Sequence, residues 1–84
     1  PYIPPRNETE DVLEKIWNSL LHKTGIGIRA NFFEIGGNSL LCIQMVAQIE
    51  KRLGYKIRVT DVYTYPSILE MAQFIREGEV KTGS

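Results

Sequence analysis

Apolar residues along the chain fall into helical stripes separated by breaks rich in glycine and proline. Val12, Leu13, Ile16, Trp17, Leu20 and Leu21 recur in steps of one and three, which places them on one face of a helix. That helix is expected to begin near Thr9, with Asn7 or Thr9 as its cap. Asn7 and Glu10 have capping-box spacing. Glu10, Asp11 and Glu14 lie early, where the helix dipole favours anions. Trp17 sits within the stripe and is assigned to the core. His22 follows the last apolar pair as a surface or helix-end residue.

A second helix is expected over residues 39–53, stopped by Gly54 and with Lys51 and Arg52 at its negative end. At 100° per residue, Leu41, Cys42, Met45, Val46, Ile49 and Leu53 form a broad core-facing arc. Leu40, Ile43 and Ala47 fall together outside that arc, on the side next to Ser39. Either they form an exposed apolar docking patch or the preceding loop covers them. A last helix, started by Ser67 or Pro66, carries Ile68, Leu69, Ala72 and Ile75, with Met71 or Phe74 at the edge of the stripe. It is expected to end near Arg76, with Gly78 as its stop. A brief helical turn over residues 62–65 is capped by Thr60 or Asp61 and ended by Pro66. Residues 56–59 alternate like a strand but have no partner strand, so they read as loop.

Residues 23–38 form a long loop with four glycines. Ile26, Ile28, Phe32, Phe33 and Ile35 are expected to pin it to the helices, and loops anchored in this way are often functional. Residues 1–8 hold three prolines and read as an extended arm, the end of a linker, or both. The chain divides into this arm (1–8), a domain (9–77) and a flexible tail (78–84). None of the helices can hide its stripe alone. The expected fold is therefore all-α: a small four-helix bundle of three longer helices and one short one, with a long first loop.

With 84 residues the chain makes one modest core and has little room for a deep cleft. Ten basic residues balance ten acidic ones, which argues against nucleic acid or an anionic membrane as partner. No apolar run reaches the roughly 20 residues that span a bilayer, and no secretory signal is visible. One cysteine makes no internal disulfide, and one cysteine with one histidine suggests no metal site. These features point to a cytoplasmic setting.

The candidate chemistry lies in Gly36-Gly37-Asn38-Ser39-Leu40. Ser39 has two readings from position alone. It is a good helix cap, and it is also a reachable hydroxyl where two glycines remove bulk. A helix start with free N–H groups and a positive dipole end suits a phosphate esterified to that serine. A nucleophilic role needs a base and an orienting partner, and the only histidine, His22, belongs to another helix end. The segment lacks the Gly-x-Ser-x-Gly form of a hydrolase elbow and the Gly-Lys-Ser/Thr ending of a P-loop. Cys42 belongs to the core arc and reads as a small hydrophobe.

Taken together, YIPPRNETE, LEKIWNSLL, IGIRANFFEIGGNSLLCIQMVAQIEKRLG and IRVTDVYTYPSILEMAQFI resemble, in order and spacing, the peptidyl carrier (thiolation) domains of nonribosomal peptide synthetases. The resemblance spans nearly the whole chain, and FFEIGGNSL is its specific part. It implies a compact four-helix bundle whose Ser39 carries 4′-phosphopantetheine, attached by a separate phosphopantetheinyl transferase. It implies no catalytic residue, and no metal site is expected. The arm's thiol would hold an aminoacyl or peptidyl group as a thioester, loaded by an adenylation domain. Delivery would be to condensation, epimerisation or thioesterase domains. Gly37, Asn38 and Leu40 flank the attachment site, and Phe33 and Gly36 frame the motif. Leu40, Ile43, Val62 and Tyr63 match partner-facing positions, and Ala47 joins them from the apolar patch beside Ser39. The resemblance also implies one monomeric unit of a larger enzyme. Asn38 departs from the histidine or aspartate usual in the family. The alternatives are an acyl carrier of a polyketide or fatty-acid system, against which Asn38 and the zero net charge count, and a purely structural helical module.

Overall fold

The computed structural model describes residues 2–82, with side chains through Glu79. Among these residues the chain forms four helices in the order α1 (Glu8–Leu21), α2 (Ser39–Leu53), α3 (Val59–Thr64) and α4 (Ile68–Thr82), and no strand. The all-α bundle expected from the hydrophobic stripes is what forms.

Asn7 is the cap of α1, accepting the Glu10 N–H at 2.9 Å. The helix therefore starts one residue before Thr9. The expected capping box is only half made. Instead of returning to Asn7, the Glu10 carboxylate accepts from the Arg6 backbone N–H at 2.8 Å and from the Arg6 guanidinium at 2.7 Å. Glu10 is only 1% exposed. A carboxylate so enclosed stays charged only with such partners. Hydrogen bonding to Arg6 holds its carboxyl below the ordinary carboxylate range, against the upward push of burial. His22 closes α1 in the left-handed conformation, its N–H bonded to the Asn18 carbonyl.

The core is drawn from every element. Leu13, Ile16 and Trp17 of α1 meet Cys42, Met45 and Ile49 of α2, and Ile68, Met71, Ala72 and Ile75 of α4. Met71, expected at the edge of its stripe, lies at 0% exposure, whereas Leu69 is only partly buried. Ile28 and Phe32 of the long loop are fully enclosed in the same core. The loop is also fastened by its backbone: Ile28 donates to the Ile3 carbonyl and accepts from the Leu69 N–H, and Phe32 donates to the Pro66 carbonyl. One apolar loop residue thus joins the N-terminal arm to α4, so residues 2–7 pack as an ordered arm.

Two further helix boundaries differ from expectation. The short helix α3 starts at Val59, three residues before the expected turn, and Val59 lies in it and not in a loop. Its first turn is closed by the Asp61 carboxylate reaching back to the Arg58 N–H at 2.8 Å, so Asp61 acts from inside the helix and not as its cap. Ser67 caps α4, accepting the Glu70 N–H at 3.1 Å and donating to the Glu70 carboxylate at 2.8 Å. The helix α4 does not end near Arg76. It runs through Gly78 to Thr82, so the helix takes in residues 78–82 of the expected tail, and residues 83–84 lie outside the described residues. A Cβ on Gly78 would fall on the Tyr55 ring and hydroxyl. The glycine there permits close approach of Tyr55 and does not serve as a stop.

Candidate functional site

The motif that carries the candidate serine is built from the core outward. Phe32 is wholly buried, its ring 5.0 Å from Trp17 and 5.5 Å from Phe33. Asn31 turns the chain here, its side-chain oxygen accepting the Phe33 N–H at 2.9 Å. Gly36 follows at φ +120°, a conformation closed to most L-residues. Gly37 has no such φ, but its N–H reaches the Phe32 carbonyl at 2.8 Å and a Cβ there would fall on the Phe32 ring. The two glycines are therefore required for different reasons, one for backbone and one for space.

Asn38 is the cap of α2. Its backbone is extended and its side-chain oxygen accepts the Leu41 N–H at 2.9 Å. This corrects the reading of Ser39 as a cap. Asparagine one residue earlier takes that role, and Ser39 occupies the first helical position with its hydroxyl released. The Ser39 hydroxyl is exposed and lies 3.1 Å from the Tyr63 hydroxyl. Tyr63 belongs to α3, 24 residues further on. Its ring stacks on Phe33 at 4.6 Å with a 14° interplanar angle. The partner of the serine is thus a tyrosine and not His22.

The electrostatics of the helix start favour an anion. The Ser39 and Leu40 amides belong to the first turn, where N–H groups have no intrahelical acceptor. The first turn of α1 carries Glu8, Glu10 and Asp11, but the first turn of α2 carries no acidic residue. No charged side chain of that turn offsets the positive end of α2 beside the exposed hydroxyl. These residues fit a phosphodiester on Ser39: the oxygen is reachable, the neighbouring amides are unpaired, and no carboxylate in that turn repels the charge.

The surface beside the serine is apolar. Leu40 is 63% exposed and Ile43 57%, and Ala47 continues the same face. The long loop does not cover them. Tyr63, at 51%, adjoins this face through its contact with Ser39. Val62 does not join it: at 0% exposure it anchors α3 in the core, which corrects its assignment as a partner-facing residue. Cys42 is buried one turn inside α2, and burial pushes its thiol pKa up, away from the thiolate.

An exposed serine thus stands on the first turn of a helix anchored in the core by Cys42, Met45 and Ile49, in surroundings that suit a phosphate and beside an apolar apron. A family profile described as "Phosphopantetheine attachment site" matches residues 11–75, and the chain belongs to that family. Chondramide synthase cmdD of Chondromyces crocatus is 40% identical over 83 residues, covering 99% of this chain and 2% of that protein. The chain thus spans a very small part of the curated relatives it matches. Two solved structures are close in fold. The "Structure of the Phosphopantetheine Transferase Sfp in Complex with Coenzyme A and a Peptidyl Carrier Protein" matches with a TM-score of 0.86 and 33% identity, over 90% of this chain and 99% of that one. A peptidyl carrier described as a prototype for modular peptide synthetases matches with a TM-score of 0.79 and 35% identity, over 89% and 99%. The protein is a phosphopantetheine-attachment domain homologous to the peptidyl carriers of nonribosomal peptide synthetases, a carrier and not a catalyst by itself. Among the described residues no helix is long and apolar enough to cross a membrane.

Proposed function

We propose that this domain serves a nonribosomal peptide synthetase as its movable mount, with Ser39 as the attachment residue and Gly37, Asn38 and Leu40 shaping its surroundings. The observation that carries this reading is the division of labour at the start of α2: Asn38 caps the helix and leaves the Ser39 hydroxyl exposed. When attached, 4′-phosphopantetheine supplies a terminal thiol that holds an aminoacyl or peptidyl group as a thioester. Leu40, Ile43, Ala47 and Tyr63 form the surface that successive partners use. These are a phosphopantetheinyl transferase, an adenylation domain, and condensation, epimerisation or thioesterase domains. Residues 2–7 end the link from a preceding adenylation domain. The isolated domain is monomeric and cytoplasmic.

The chain's own contribution is physical. A rigid helix start presents the hydroxyl, and tethering raises the effective concentration of the cargo at each partner to about the millimolar range. An apolar patch of a few side chains suits contacts weak enough to release. The test is to incubate the folded chain with coenzyme A and a broad-specificity phosphopantetheinyl transferase and to weigh it intact. The mass rises by one phosphopantetheine, and Ser39→Ala shows no gain. A folded wild-type chain that gains no mass refutes the assignment.

A further inference from the structure

An exposed serine side chain ordinarily samples several staggered rotamers. In this protein one is selected, because the Ser39 hydroxyl lies 3.1 Å from that of Tyr63. Although Tyr63 is half-exposed, it is not free to swing. Its ring lies flat on Phe33, Phe33 meets the edge of the buried Phe32, and Val62 beside it is locked in the core. The phenol is thus held at the serine by a chain of ring contacts that reaches Trp17 in the interior.

We propose that Tyr63 is a positioning residue for modification of Ser39, a role that rests on Ser39 being the attachment serine. Either hydroxyl could donate in this pair. Only one arrangement survives the reaction. Esterification joins Ser39 Oγ to the phosphorus on the pantetheine side of coenzyme A and breaks that phosphorus's bond to the oxygen leading to the adenosine moiety. Adenosine bisphosphate leaves, and the hydroxyl proton passes to a base on the transferase. The ester oxygen then has no hydrogen and acts only as an acceptor. With Tyr63 as donor, one lone pair of Oγ is engaged before and after the step. The Oγ–H is directed away from α3, where an incoming base reaches it, and the second lone pair is free to attack phosphorus. Tyr63 thereby ties α3 to the serine in both states.

Tyr63→Phe removes the phenol oxygen and keeps the stacking on Phe33, so it isolates the hydrogen bond. Transfer from coenzyme A by a broad-specificity transferase is measured over a range of concentrations of the apo chain. The expected result is a kcat about two- to tenfold lower, the reach of one net hydrogen bond, with KM within about twofold of wild type. In the apo protein, the NMR signal of the Tyr63 ring carbon bearing the hydroxyl is expected to shift on Ser39→Ala. A wild-type kcat for Tyr63→Phe, an effect confined to KM, or an unmoved Tyr63 signal overturns the proposal. A wild type that loads while Tyr63→Phe matches it overturns this proposal alone. A wild type that never loads overturns the attachment reading and this proposal with it.

Discussion

Gly37→Ala is expected to destabilise the domain by about 0.5–2.5 kcal/mol, through space and not through backbone conformation. Gly37 has no left-handed φ, so alanine is allowed there by its dihedral angles. The new Cβ, however, meets Phe32 Cδ2 and Cε2 and lies 2.7 Å from the Phe32 carbonyl oxygen. Phe32 is fully buried between Trp17 and Phe33 and has no free side to retreat to. If the ring shifts, overpacking costs about 1–3 kcal/mol. If the loop lifts instead, the Gly37 N–H bond to Phe32 is lost, at about 0.5–1.5 kcal/mol. Loss of glycine's freedom in the unfolded chain offsets about 0.4–1 kcal/mol. For a domain of this size the net corresponds to a fall in Tm of roughly 2–20 °C. Urea denaturation of wild type, Gly37→Ala, Phe32→Leu and the double variant closes a double-mutant cycle. The double variant is expected to be more stable than the sum of its parents by at least about 0.5 kcal/mol. Gly36→Ala serves as control, since its Cβ has only Leu21 Cδ2 nearby, at 3.8 Å, and its cost comes from φ +120°. Phe32→Leu should not relieve it. Additive energies for Gly37→Ala and Phe32→Leu, or a Gly37→Ala variant as stable as wild type, would refute the reasoning.

Three further outcomes are expected. Asn38→Ala removes the cap of α2 and costs about 0.5–2 kcal/mol in thermal or urea unfolding, whereas Asn38→Asp, which keeps an acceptor oxygen, costs far less. Glu10 has a lowered folded pKa, so its contribution is complete above the ordinary carboxylate value and is lost as the pH falls through the lowered one. Wild type should therefore lose stability on acidification below about pH 4, and Glu10→Gln should show a flatter profile there in urea melts at stepped pH. Ile43→Glu, on a side chain 57% exposed, should change stability by no more than about 0.5 kcal/mol. It should weaken cargo transfer with a partner domain about fivefold or more, the effect of losing a contact worth over 1 kcal/mol.

Much of this molecule was legible in the sequence because α1 and α2 declare themselves by period and by their ends. Their stripes are regular, and His22 and Gly54 close them in the left-handed conformation. What was hidden depended on partners distant in sequence. Gly78 reads as a stop until Tyr55 is seen against it. A six-residue helix has too few turns for periodicity to tell buried Val62 from exposed Tyr63. Asn38 and Ser39 are both good caps side by side, and composition gave no reason to choose between them. The Ser39–Tyr63 contact joins two elements through the tertiary fold, and no local pattern announces it. Glu10 read as a capping-box and dipole residue, and its burial was hidden because the Arg6 clasp that permits it depends on how the arm folds back.

Cys42 is the chain's single cysteine, and it lies at 0% exposure with its thiol held protonated by burial. In the native loaded protein, a small alkylating reagent or maleimide dye therefore meets one accessible sulfur, the one brought in with the prosthetic group. Thiols counted before denaturation, divided by the increase of one that unfolding exposes, give the occupancy of the attachment site by the cargo-free arm directly. The domain thus contains its own internal standard for how much of a preparation carries the arm with its thiol free of cargo.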